Sequence, residues 1–111
     1  MKSRFTYAIA FVDDMDKAIA FHRDVLGLTP KFTTPGWSEF ATGDVTLALH
    51  PALDGNPAGS VQLGFAVDDV SGLYAARGDN GLDFTSPPRE QSGSILARIR
   101  NSEGVEISLS S

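Results

Sequence analysis

The chain contains no cysteine, which excludes disulfides, thiolate zinc sites, iron–sulfur ligation and a cysteine nucleophile together. Histidine is nearly as scarce. Only His22 and His50 occur, so any metal site must lean on carboxylates and amides. Cations are in deficit, with nine Lys plus Arg against fourteen Asp plus Glu and a formal net charge of −5. A nucleic-acid partner requires a surface that replaces phosphate counterions, so no nucleic acid is expected as a partner. No apolar run approaches the roughly 18 residues of a membrane span, and Met1-Lys2-Ser3-Arg4 leads into no signal-peptide pattern. The expectation is a cytoplasmic chain with no membrane partner. A Gly-rich phosphate loop, a G-x-S-x-G elbow and H-E-x-x-H are missing too.

What is present is organised as two related halves within 111 residues. Phe5–Val12 is apolar and rich in aromatic and β-branched residues, which predicts a buried strand. Asp13-Asp14 then opens a helical pattern with apolar positions at Met15, Ala18, Ile19, His22, Val25 and Leu26, and Gly27 stops it as a C′ glycine does. Leu28–Thr34, Trp37–Thr42 and Val45–His50 come next as strands, separated by turn signals at Pro35-Gly36 and Gly43-Asp44. The second half repeats the order: strand Val61–Val67, cap Asp68-Asp69, a short helix through Val70, Leu73, Tyr74 and Arg77, a stop at Gly81. Leu82–Thr85, Ser94–Asn101 and Val105–Leu109 are its three further strands. Val-Asp-Asp at 12–14 recurs at 67–69, a shift of 55 residues, and Gly27-Leu28 recurs as Gly81-Leu82, a shift of 54.

The predicted fold is α+β: tandem βαβββ modules, 1–52 and 60–111, within one domain over 1–111, joined by the Pro- and Gly-rich segment Pro51–Ser60. Half-chains of about 55 residues bury too little apolar surface to stand alone. The modules are therefore expected to form one curved mixed sheet with helices on the outer face. Alternation places Val61, Leu63, Phe65 and Val67 on the helix-covered side with Val105, Ile107 and Leu109. Gln62, Gly64, Ala66, Glu106 and Ser108 face the other way.

The run F-V-D-D-M-D-K-A-I-A-F-H-R-D-V-L-G-L resembles the opening of the glyoxalase / bleomycin-resistance / extradiol-dioxygenase (vicinal oxygen chelate) superfamily. F-A-V-D-D-V and N-S-E-G-V-E-I-S-L resemble its second module and its terminal D-P-D-G-N-x-I-E-L. The resemblance covers nearly the whole chain and implies the paired βαβββ fold. In metal-dependent members it implies four ligands, typically His, Glu or Gln, one each on strands one, four, five and eight. Carried over by motif offset, these positions are Tyr7, Ala48, Gln62 and Ser108. Only Gln62 is a plausible ligand, because Ala48 has no donor atom and neutral hydroxyls substitute poorly for imidazole or carboxylate. No cofactor is expected at these positions. A displaced divalent-metal or acid–base site from His50, Glu39, Glu106 and Gln62 is the alternative, with His50 two residues and about 7 Å beyond Ala48 on the same face.

Several residues admit two roles. His22, on the apolar stripe where relatives carry Tyr, is read as a packing residue. His50 is a cavity contact or a solvated strand end. Trp37, the only tryptophan, is core or a stacking surface for a flat ligand, and Tyr7 is structural or a donor into the cavity. Arg98 and Arg100, on one face of their strand, are a solvated edge or an anion clamp. Pro87–Gly93 is expected to be an exposed loop, with lid function the second reading. The function expected is binding of a small organic molecule without the superfamily's metal centre, as in drug or metabolite sequestration. Its cavity would be lined by Tyr7, Trp37, Glu39, Ala48, His50, Gln62, Arg98, Glu106 and Ser108. The alternative is a metal-dependent lyase, isomerase or dioxygenase of the same superfamily with an atypical ligand set. Exposed sheet edges and the frequency of twofold assemblies add the expectation of a homodimer.

Overall fold

The computed structural model describes residues 1–111. Two compact units make up the chain: Thr6–Gln62, and Met1–Phe5 together with Leu63–Ser111. In the first unit the chain runs β1 (Ser3–Val12, from Thr6 onward), α1 (Met15–Ala20), a π-helical turn (Phe21–Val25), β2 (Thr29–Phe32), β3 (Ser38–Ala41) and β4 (Thr46–Pro51). Its sheet order is β2-β3-β4-β1. β1 runs parallel to β4, while β2–β3 and β3–β4 are antiparallel. A parallel β1–β4 pair needs a long crossover, which α1 and the β2–β3 hairpin provide.

Asp14 starts α1 as its acidic side chain predicts, accepting from the Lys17 backbone N–H at 3.1 Å. The predicted single α-helix to Leu26 is not the one that forms. Beyond Ala20 the backbone widens, and Leu26 N–H donates to the Phe21 carbonyl five residues back at 3.1 Å. At that place His22 Nδ1–H donates to the Ala18 carbonyl at 2.8 Å, an acceptor it shares with the Phe21 backbone N–H. The extra residue in the turn rotates the succeeding side chains by about 100°, the helical step per residue. Met15, Ala18 and Ile19 pack inward, whereas Val25 and Leu26, expected on the same stripe, are exposed. Gly27, at φ 71°, ends the segment in the left-handed conformation its position implied.

Alternation sorts the two faces of this sheet. On the helix side Ile19 meets Phe40 and Leu49, both fully buried. On the opposite side Ile9, Phe11 and Ala48 form a second cluster, with Tyr7 and Trp37 packed against it. His22 is half-buried, its ring 5.6 Å from that of Phe40, the packing position expected for it.

The second unit repeats the order: β5 (Val61–Val67, from Leu63 onward), α2 (Val70–Ala75), α3 (Arg77–Asn80), β6 (Phe84–Gln91), β7 (Ser94–Arg100) and β8 (Glu106–Ser110). The sheet order is β5-β8-β7-β6, with β5 parallel to β8 and the other pairs antiparallel. Asp69 caps α2 through the Gly72 N–H at 3.0 Å, and Gly81 closes α3 at φ 75°. Val67, Val70, Ala97, Ile99 and Leu109 form the core, with Phe65 and Ile107 against it. Val61 and Leu63 depart from expectation: both are exposed, at 57% and 41%. Within the second unit, a six-residue helix spans about 9 Å and is too short to cover Leu63 as well as Phe65 and Val67.

Pro87–Gly93 is a second correction. It is not a loop: Pro87 to Gln91 lie in β6, and Ser92-Gly93 close a two-residue hairpin onto β7. Proline is tolerated because β6 is an edge strand, and the register shift between Ser86 and Arg89 spans the pair. Ser92 and Gly93 both have positive φ, 52° and 83°, as the hairpin turn matching strand twist requires.

Candidate functional site

The first unit carries a carboxylate-centred cluster on the face away from α1. Glu39 projects from the middle of β3 with only 13% of its side chain exposed. Its Oε2 accepts from the Trp37 indole N–H at 2.8 Å and from the Tyr7 hydroxyl at 3.4 Å. Its Oε1 lies 3.9 Å from Lys31 Nζ, which also donates to Thr46 Oγ1 at 3.1 Å. A carboxylate this sheltered needs such donors, because an unpartnered buried charge is costly. Burial, then the charge of Glu39, then the hydrogen bond to it raise the Tyr7 pKa above its ordinary value of 10.0. Tyr7 is therefore a neutral donor near neutral pH.

Aromatic rings complete this face. The Trp37 ring lies 6.0 Å from Tyr7 and meets His50 edge-on at 6.0 Å, and Phe11 sits 5.4 Å from His50. His50 Nδ1–H donates to the Pro51 carbonyl at 2.7 Å. That bond fixes the tautomer and leaves Nε2 as the acceptor atom. The structure thus brings four of the predicted site residues, Tyr7, Trp37, Glu39 and His50, onto one aromatic, half-buried surface. Ala48 lies beneath them, fully buried and paired in register with Ile9 on β1 and Glu39 on β3. Gln62, at the start of β5, is buried. Lys31 and Thr46 were missed, because the Lys31–Glu39 proximity arises from an irregular β2–β3 hairpin that sequence spacing does not expose.

The remaining predicted residues belong to the second unit. Glu106 Oε2 accepts from the Thr85 hydroxyl at 2.7 Å, and its Oε1 lies 3.9 Å from Arg98 Nε. Ser108 pairs with Arg98 across β7–β8. Arg100 is drawn instead to Asp83, with Nε 3.3 Å from Oδ2 and its backbone N–H on the Asp83 carbonyl. Arg98 and Arg100 thus face different carboxylates.

The superfamily's divalent metal can be tested against these residues. At the four implied positions, Ala48 offers a methyl group buried among Ile9 and Phe11, Tyr7 is held neutral and turned to Glu39, and Ser108 presents a neutral hydroxyl. This donor set does not fit a divalent cation. Of the displaced set within the first unit, Glu39 Oε2 already takes two donors, whereas His50, with Nδ1–H on the Pro51 carbonyl, keeps Nε2 as an acceptor. No group of three or more His, Asp or Glu side chains is arranged to hold a metal ion. No helix is long and apolar enough to cross a membrane.

The paired βαβββ units, each with helices on one face and a polar or aromatic surface on the other, define a two-module α+β fold. The chain belongs to the Glyoxalase/Bleomycin resistance protein/Dioxygenase superfamily, whose family model matches residues 4–109. Solved structures share the fold at low identity. A hypothetical protein from Bacillus halodurans C-125 is 13% identical with a TM-score of 0.78, covering 99% of this chain and 94% of its own. Methylmalonyl-CoA epimerase from Streptomyces coelicolor, in complex with 2-nitronate-propionyl-CoA, is 19% identical with a TM-score of 0.76, covering 96% and 92%. A superfamily member from Vibrio splendidus 12B01 is 16% identical with a TM-score of 0.73, covering 98% of each chain. Among curated proteins no match is found.

Proposed function

We propose that this chain binds a small, flat organic molecule on the Tyr7–Trp37–His50 face of the first unit, without a metal centre, and sequesters it. One observation carries the proposal: Glu39 is held by Trp37 and Tyr7 in the middle of an aromatic surface. Such a surface supplies stacking area, while the Glu39 carboxylate and His50 Nε2 supply acceptors that orient a ligand. A cytoplasmic homodimer is the assembly proposed, with the edge strands β2 and β6 as the elements an assembly would protect.

Trp37 is the chain's only tryptophan, so its emission, excited selectively over the two tyrosines, reads this face. A panel of planar amines, amides and carboxylates is titrated against Trp37 emission, with the thermal midpoint followed in parallel. Binding to the folded state must raise the midpoint. The proposal expects at least one saturable fluorescence change, lost in His50→Ala, and no stoichiometric metal in protein purified without chelator. Stoichiometric zinc, nickel, iron or manganese would favour a metal-dependent lyase, isomerase or dioxygenase and overturn sequestration. A monomeric mass by light scattering would overturn the dimer.

A further inference from the structure

On the second unit's sheet, the face away from α2 presents a short row of donors. Ser86 on β6, Arg98 on β7 and Ser108 on β8 are directly opposite one another in register. Opposed residues on neighbouring strands have Cβ atoms about 5 Å apart, so the Ser86 and Ser108 side chains leave the sheet on either side of Arg98. All three are half-buried. The only charged partner of Arg98 is Glu106, whose Oε1 stands 3.9 Å from Nε. Glu106 is itself anchored by Thr85 through its other oxygen. The Nη donors of Arg98 and the hydroxyls of Ser86 and Ser108 form no hydrogen bond with the rest of the chain.

We infer that this row is a subsite for a small monoanionic carboxylate. A guanidinium offers a planar fork that matches a carboxylate's two oxygens, and a hydroxyl on each side adds a neutral donor. The row contains no obligatory acceptor, so it selects an acceptor-rich group. Glu106 sets the charge. With a carboxylate already beside Arg98, local charge is close to balanced, and a dianion such as phosphate meets more repulsion than a monoanion does. The neighbouring Arg100 adds no second cation because Asp83 engages it. The subsite rests on residues of the second unit alone, so its fate is separate from that of the aromatic face.

The test is an NMR titration of the 15N-labelled full chain with acetate, at constant ionic strength, against acetamide and inorganic phosphate. Acetate is expected to shift the Ser86, Arg98 and Ser108 amides and the Arg98 Nε–H saturably, with a weak, millimolar Kd. Acetamide is expected to leave them in place, and phosphate to bind more weakly. Arg98→Gln is expected to weaken acetate binding by about tenfold or more, since it removes a charged hydrogen-bonding group. Arg100→Gln is expected to change it by less than about twofold, Arg100 being a surface pair. If Arg98→Gln does not fold, Arg98→Lys carries the test, because it keeps the charge but loses the fork and is expected to bind several-fold more weakly. Three results each overturn the inference: no saturable shift in the row, acetamide or phosphate binding it as tightly as acetate, or an Arg98 variant that folds and binds as the natural chain does.

Discussion

The indole N–H of Trp37 donates to Oε2 of Glu39 across 2.8 Å, between residues two apart on one face of the chain entering β3. Tyr7 on β1 donates to the same oxygen, so one carboxylate oxygen joins two strands that are not neighbours in the sheet order. Replacing Glu39 by Ala strips both donors of their acceptor at a mostly buried site. The expected cost is about 1–3 kcal/mol. Glu39→Gln retains one carbonyl acceptor and is expected to cost less. Urea denaturation followed by Trp37 emission measures both, and a Glu39→Ala chain as stable as the natural one would contradict this role for the carboxylate.

Alkaline pH probes the same pair. The Tyr7 pKa is raised by burial first and by Glu39 second, above 10.0 in the folded chain. Below pH 10.0 the phenol is protonated in both folded and unfolded chains, and its contribution to stability is fully present. As pH rises past that value the unfolded chain ionises first, and the contribution is lost as pH climbs through the folded pKa. Stability should therefore fall less steeply above pH 10.0 in Tyr7→Phe than in the natural chain. Phenolate absorbance in a Tyr74→Phe background isolates the Tyr7 titration. A folded-state pKa at or below 10.0 sinks the explanation.

Both histidines carry the proton on Nδ1 when neutral, because the carbonyls they face can only accept. His22 donates to Ala18 and His50 to Pro51. Long-range 15N–1H spectra should show the Nδ1–H tautomer at both, with the acceptor nitrogen Nε2. For His50 this is the atom offered beside Trp37 and Phe11. An Nε2–H tautomer at His50 would remove the acceptor on which ligand orientation depends.

The sequence made much of this structure legible where physics is local. The double acidic caps and positive-φ glycines punctuated both modules correctly, since Asp14, Asp69, Gly27 and Gly81 act on their own backbone neighbours. Strand alternation likewise sorted Ile107 and Leu109 from Glu106 and Ser108, whereas Val105, expected on the same side, is exposed just before β8 begins. The features that escaped depend on partners distant in sequence or on competition within a turn. The π-helical turn arises where the His22 side chain bids for a backbone carbonyl. Pro87-Pro88 looks like a loop until β6 is known to lie at an edge. At the site, alternation placed His50 on the face of Ala48, but the meeting of Tyr7, Glu39 and His50 depends on strand order and on Trp37. Residue type alone left Trp37 divided between core and ligand contact.

At the β6–β7 hairpin, a mobile loop and a tight turn would respond differently to the same substitutions. Ser92 holds φ 52° and Gly93 φ 83°. A left-handed residue other than glycine costs about 1–2 kcal/mol, with Asn tolerating the region better than most. A Cβ on Gly93 would meet no atom within 4 Å, so the penalty of Gly93→Ala is one of backbone conformation alone, about 1 kcal/mol or slightly more. Ser92→Asn creates the Asn-Gly pair that this turn favours, and is expected to stabilise by a few tenths of a kcal/mol. Urea midpoints read both effects, and amide exchange at Ile95 and Leu96 reads the hairpin itself. In a flexible loop both substitutions would be silent; opposite signs at adjacent positions are the signature of a formed turn.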